Sequence, residues 1–264
     1  MKILLTGSGG FIGSHLWEAL KKKHDIIGYD IKGGDDINDL RKLEYLFETE
    51  NIDCVIHCAA LTGARRGELF PEEYFKVNVI GTLNLVKLAE KYRVEQFIHF
   101  SSSSAKQPDT IYGMSKLCGE QIAIRSNIKN MSIIRPFTVI GENGRPDQVI
   151  YKWLNAIKAD RPIKIHGYNT NRNFTYVGDI VKFVNLILEK QLSEFSPFIY
   201  ELCNPTSITL KKLIVIFKKH FKNIRDWDVG LQEYEPFESK GVWSSKFPPT
   251  DAKKIIEKII KKEK

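Results

Sequence analysis

KILLTGSGGFIGSHLWEALKKKHDIIGYD, residues 2–30, decides the fold. An apolar run, KILLT (2–6), meets the glycine-rich GSGGFIG, and SHLWEALKKKH then carries the spacing of an amphipathic helix. DIIGYD follows as a second apolar run ending in an acid, Asp30. Glycines at this kind of strand-to-helix junction permit a tight turn, let the backbone approach a pyrophosphate, and let helix pack closely on strand. The helix N-terminus then meets the phosphate charge with open amides. Gly7, Gly10, Phe11, Ile12 and Gly13 are the candidate phosphate contacts. An acid ending the second strand can bind both ribose hydroxyls and repels a 2′-phosphate, which favours NAD over NADP. Lys32, two residues on, leaves NADP open.

Outward from this unit the alternation continues. DLRKLEYLFETEN reads as a helix, IDCVIHCAA as a buried strand, PEEYFKVNVIGTLNLVKLAEKY as a long helix and VEQFIHFSS as a strand. YGMSKLCGEQIAIRSN is again helical, and MSIIRPFTVIG again reads as strand. Near-continuous apolar strands separated by helices predict an α/β fold, a Rossmann-type doubly wound parallel sheet. Between Asp30 and DDIND only IKGG intervenes, too short for a crossover helix. Beyond about residue 140 the chain turns irregular, with helical stretches at 150–159, 178–190 and 208–221. The expected division is a dinucleotide-binding domain, 1–140 with 173–192, and a smaller discontinuous substrate lobe over the C-terminal edge of the sheet, 141–172 with 193–264.

Composition sets the outer bounds. The chain has 264 residues, 42% hydrophobic and 27% charged, ordinary values for a globular protein. Its N-terminus, MKILLTG, offers only three consecutive apolar residues, too few for a signal peptide, and no run is long enough to span a bilayer. A soluble cytoplasmic protein with no membrane partner is the expectation. The four cysteines form no CxxC pair and lack zinc-type spacing, so reduced structural thiols and no metal are expected. The formal charge of +8 does not by itself imply nucleic acid. Many lysines interleave with apolar residues at helical spacing, as in DAKKIIEKIIKKEK (251–264), and read as solvated helix faces. A basic background still favours an anionic small substrate.

FSSSSAKQPDTIYGMSK (100–116) places serines ahead of Tyr112 and Lys116, which are one helical turn apart. With GxxGxxG at 7–13, Asp36-Ile37, HCAA (57–60), NVIGT (78–82) and YGMSK, the chain resembles the extended short-chain dehydrogenase/reductase family. Within it the likeness is to the nucleotide-sugar epimerases and dehydratases. RPFTVIGENGRPD (135–147) and RNFTYVGDI (172–180) are similar to stretches of UDP-glucuronate 4-epimerases, and many UDP-glucose 4-epimerases carry Asn where Thr138 stands. The resemblance implies that Asp36 and Ile37 hold the adenine, that Ala59, Ala60 and Asn78 line the cofactor, and that Lys116 reaches the nicotinamide ribose. It further implies Tyr112, Lys116 and Ser103 as the catalytic set, Ser103 and Tyr112 on the sugar, Thr138 and Arg145 near it, and Arg172 on the nucleotide diphosphate. A homodimer through helices 72–91 and 112–126 is implied in the same way.

The chemistry such a set performs is the oxidation of a hydroxyl. Tyrosine, with an unperturbed pKa of about 10, is a poor base until nearby cations favour its phenolate. Lys116 supplies one, and a serine hydroxyl polarises the substrate oxygen. Ser103 fits by position, with Ser102 and Ser104 as alternatives. Dehydratases of the family carry an Asp-Glu pair directly after this serine; here Ser104 and Ala105 follow. Three departures from the family open other readings: the missing helix after the second strand, the short AKQPDTI segment before Tyr112, and a short C-terminal region. The expected function is NAD-dependent inversion of C4 of a UDP-glucuronate- or UDP-glucose-type sugar through a 4-keto intermediate. An NAD(P)H-dependent keto-sugar reductase and a non-catalytic dinucleotide-binding regulator are the alternatives.

Overall fold

The computed structural model describes residues 1–190, 199–222, 224–228, 239, 241–242 and 247–263. Most of the irregular stretch 233–251, read above as part of the substrate lobe, lies outside them. The chain divides into two compact units, Met1–Pro136 with Val181–Glu201, and Phe137–Ile180 with Leu202–Lys264. The boundaries expected from sequence were 140, 172 and 192, the last outside the described residues.

The first unit alternates strand and helix: β1 (Lys2–Thr6), α1 (Phe11–Leu20), β2 (Asp25–Tyr29), α2 (Leu40–Thr49), β3 (Cys54–His57), α3 (Ala64–Leu69), α4 (Pro71–Phe75), α5 (Gly81–Lys91), β4 (Gln96–Phe100), α6 (Ile111–Ile124) and β5 (Asn130–Pro136). A π segment, Lys76–Ile80, joins α4 to α5, so the expected long helix carries a widened turn at its middle. β2, β1, β3, β4 and β5 pair in parallel in that order. Their apolar residues, Ile3, Leu4, Leu5, Val55, Ile56, Phe97 and Ile98, are fully buried, as strands covered on both faces require. The IKGG connection forms a single 3₁₀ turn, Ile31–Gly33, and β2 remains the edge strand.

The second unit contains β6 (Thr138–Ile140), α7 (Val149–Lys158), β7 (Ile163–Ile165), β8 (Asn171–Arg172) and β9 (Phe174–Tyr176). The chain continues through α8 (Val177–Leu188) and β10 (Ile199–Leu202), which closes the six-stranded sheet beside β5. β11 (Ile208–Thr209), α9 (Leu210–His220), β12 (Asp226–Asp228) and α10 (Ala252–Glu263) complete it. The core of this unit gathers Trp153, Phe174, Leu213, Phe217, Ile256 and Ile260 from α7, β9, α9 and α10. MSIIRPFTVIG is therefore two strands rather than one. Pro136 has no amide proton to extend a ladder, and the Phe137 amide turns to the Leu202 carbonyl at 3.1 Å and the Thr175 hydroxyl at 3.2 Å. β6 then pairs with β9, outside the central sheet.

All four cysteines are free thiols. Among the described residues no helix is long and apolar enough to cross a membrane.

Candidate active site

The turn after β1 is built for close approach. Gly7 has φ +70°, and a Cβ there would stand 2.6 Å from the Ala59 nitrogen. At Gly13 a Cβ would run into the Gly7 carbonyl, so α1 sits directly on the turn. α1 starts after Gly10 with no side chain capping it, leaving the first-turn amides of Phe11, Ile12 and Gly13 open to an anion. Asp30 faces this turn. Its carboxylate accepts from the Gly9 and Lys32 amides, each at 2.9 Å, while the Lys32 ammonium donates to the Gly9 carbonyl at 2.7 Å.

The remaining cofactor candidates lie in the same unit. Asp36 accepts from the Asn38 amide at 2.9 Å, and its carbonyl takes the Tyr29 hydroxyl at 3.1 Å. Ile37 is buried against Gly81, where any Cβ would collide with it, so NVIGT needs its glycine for packing. Ala59 and Ala60 follow β3, half-buried. Asn78, buried in the π segment, accepts from the Leu61 amide at 2.8 Å and donates to the Leu61 carbonyl at 3.0 Å and to Ser115 Oγ at 2.9 Å. The uncapped helix start, the bare turn and the acid at the end of β2 fit a dinucleotide.

The serine segment resolves into distinct jobs. Ser101 donates its hydroxyl proton to the Glu120 carboxylate. Ser102 accepts from the Ser104 amide at 3.2 Å, capping a 3₁₀ turn over Ser103–Ala105. Ser103 is half-buried, with no side-chain partner among the described residues. α6 then starts under two caps. Thr110 accepts from the Gly113 amide at 3.0 Å, and Glu68 accepts from the Ile111 amide at 2.9 Å. Tyr112, in that first turn, sets its ring edge-on to Tyr74 at 6.2 Å. One turn later Lys116 is 3% exposed, its ammonium donating to the Phe100 carbonyl at 2.6 Å. Burial pulls its pKa down to about 8, against the opposing pull of Glu120 and Cys58.

Two features beneath this set escaped the sequence reading. Glu120 is wholly buried and holds Arg135 by two bonds, of 2.8 and 2.6 Å. Its position four residues past Lys116, on the same helix face, was the available signal. His57 and His99 lie beside Lys116 with ring centroids 5.3 Å apart, and burial drives both pKa values down, that of His57 to about 3. His57 reads only as the first residue of HCAA, and His99, inside an apolar run, carries no sequence signal beyond "core".

Of the expected substrate contacts, Thr138, Arg145 and Arg172 fall in the second unit. Thr138 and Arg172 line one cavity of about 670 Å³, together with Lys152, Arg161, Lys164, His166 and the apolar Trp153, Ile163 and Leu210. Burial lowers the pKa of the Arg172 guanidinium, which donates to the Asn171 carbonyl at 3.3 Å. Arg145 is not among the cavity's lining; its guanidinium is paired with Asp147.

A model of the NAD dependent epimerase/dehydratase family matches residues 3–203. Protein CapI of Staphylococcus aureus is 30% identical over 236 residues, covering 73% of this chain and 71% of that protein. The UDP-glucuronate 4-epimerase of Thermodesulfobacterium geofontis is 28% identical over 263 residues, 82% of this chain and 79% of the relative. Among solved structures, the UDP-glucuronic acid 4-epimerase from Bacillus cereus in complex with UDP-glucuronic acid and NAD superposes with a TM-score of 0.80. It is 26% identical, and the match covers 99% of each chain.

Proposed function

The chain belongs to the NAD dependent epimerase/dehydratase family, and on that premise we propose that it inverts C4 of a UDP-sugar, UDP-glucuronate first among the candidates. Its cofactor is NAD, which, when bound, accepts a hydride from the sugar carbon and returns it. The observation that carries the reading is Lys116: a buried cation one helical turn from Tyr112, held against the end of the serine-bearing strand.

In this proposal Tyr112, as phenolate, takes the proton of the C4 hydroxyl and gives it back to the C4 oxygen once the keto sugar has turned its other face to the cofactor. The charge of Lys116 favours that phenolate, and the Ser103 hydroxyl donates to the sugar oxygen. The Gly7–Gly13 turn and Asp30 hold the dinucleotide; Asp36, Ile37, Ala59, Ala60 and Asn78 shape its pocket. Arg172, with the cationic lining of the Thr138 cavity, neutralises the diphosphate. Arg145 is a sugar contact only if it leaves Asp147. Ser104 and Ala105 place no carboxylate after Ser103, which argues against a 4,6-dehydratase.

The single 3₁₀ turn that stands in place of a helix directly after β2 keeps a second reading beside it, a nucleotide-keto-sugar reductase with the same residues. Incubation with catalytic NAD⁺ and a panel of UDP-sugars separates them. C4 inversion without net cofactor consumption supports the epimerase; stoichiometric consumption of NAD(P)H with a keto-sugar supports the reductase. Tight NAD binding without turnover supports a regulator. A homodimer is part of the proposal, supported by exposed Leu69, Phe70, Ile80, Met114 and Ile124 on and between α3 and α6.

A further inference from the structure

His57 closes β3 and is 1% exposed. Its ring lies between two threonine hydroxyls, Thr6 Oγ1 at 2.8 Å from Nδ1 and Thr82 Oγ1 at 2.9 Å from Nε2. Counting protons fixes every donor. Thr82 has a single hydroxyl proton and gives it to the Asn78 carbonyl oxygen at 2.7 Å, an atom that can only accept. Thr82 Oγ1 therefore accepts from His57, and the ring proton sits on Nε2. In a neutral ring Nδ1 is then bare, so the Thr6 hydroxyl donates to it. The Thr6 oxygen is left to accept, and the Ala59 amide donates to it at 3.4 Å. The bonds run in one direction, from Ala59 through Thr6, His57 and Thr82 to Asn78.

The same counting carries past Asn78. Its Oδ1 takes the Leu61 amide proton, so the NH₂ group is the donor to Ser115 Oγ at 2.9 Å. Ser115 in turn gives its proton to the Tyr112 carbonyl at 2.8 Å. A cationic imidazole would break the order, because Nδ1–H would then donate to the Thr6 oxygen and the Thr6 hydroxyl proton would have to find another acceptor. The titratable groups facing the ring are His99 from β4 and Lys116 from α6, with Cys58 next in the chain. Burial and the Lys116 charge both disfavour a charged ring.

We propose that His57, held as the Nε2–H tautomer, is a positioning residue that ties the strand carrying the glycine turn to the first turn of the Tyr112 helix. Ala59, on the cofactor side, and Tyr112, on the substrate side, are thereby placed by one continuous run of hydrogen bonds. The kinetic part of this inference rests on the proposed role of Tyr112; the tautomer does not.

The test uses the full chain labelled with ¹⁵N-histidine, free and saturated with NAD⁺. Long-range ¹H–¹⁵N spectra are expected to show His57 with a protonated Nε2 and a bare Nδ1, unchanged from about pH 6 to about pH 9. An Nδ1–H ring, or one that titrates in that interval, overturns the proposal. Thr82→Val removes the acceptor at nearly constant volume. It is expected to lower kcat about tenfold or more with KM within about twofold, and Thr82→Ser to restore kcat to within about threefold. Wild-type kcat in Thr82→Val, or a folded Thr82→Ser that stays impaired, overturns it equally. If the wild-type chain turns over no UDP-sugar, the epimerase reading falls, and the tautomer spectra still decide the inference. The same spectra decide it if Thr82→Val does not fold.

Discussion

The Lys116 ammonium donates to the Phe100 carbonyl across 2.6 Å. Phe100 ends the strand that delivers the serines, so this bond ties that strand to the helix carrying Tyr112. The ammonium is held there at a cost, because burial lowers its pKa from 10.5 to about 8. Between these values the folded chain binds fewer protons than the unfolded one, so stability rises with pH from about 8 to about 10.5. Below about 8 the full penalty is present, on the order of 3 kcal/mol. Lys116→Met is therefore expected to unfold at higher denaturant concentration at pH 7, to lose the rise above pH 8, and to have no turnover. Chemical denaturation at several pH values checks this.

Glu120 and Arg135 make the complementary case. Both are largely withdrawn from water, with side chains 0% and 14% exposed, and each needs the other's charge. Glu120→Ala strips the guanidinium of its two-bond partner, leaving only the Glu201 carboxylate at 3.7 Å, and is expected to cost about 3 kcal/mol of stability. Replacing both with methionine is expected to recover most of that loss. Urea unfolding of the single and double variants measures it.

Arg172 offers a test of the substrate assignment that leaves the cofactor alone. Arg172→Ala is expected to raise KM for the UDP-sugar by about 10–100-fold, the weight of a hydrogen bond to a charged group. NAD⁺ affinity, read by calorimetry, is expected to stay within about twofold, because the contacts proposed for the dinucleotide are the Gly7–Gly13 turn and Asp30 rather than Arg172.

Assembly is testable at Ile80, 47% exposed at the end of the π segment. The wild-type chain is expected to sediment as a dimer and Ile80→Asp as a monomer. A monomeric wild type would remove the dimer from the proposal.

The sheet was legible because strands buried on both faces leave continuous apolar runs: KILLT, CVIH and QFIHF each became a strand. The glycine turn was legible because its spacing has a steric cause, now visible where a Gly13 Cβ would meet the Gly7 carbonyl. The break at Phe137 was hidden, since an apolar run does not report which partner its amides choose. The π segment around Asn78 was hidden for a similar reason, as one widened turn barely disturbs helical periodicity. Ser101 illustrates the limit at the site itself. Position set Ser101 aside from Ser102, Ser103 and Ser104, but only the buried Glu120 beside it shows what its hydroxyl does.

The most direct measurement of the central claim uses UDP-glucuronate deuterated at C4, with the chain and substoichiometric NAD⁺. If the hydride leaves and returns within one site, the C4 epimer forms, keeps its deuterium, and no NADH absorbance accumulates. Loss of the label from the product, or stoichiometric NADH without the epimer, would contradict it.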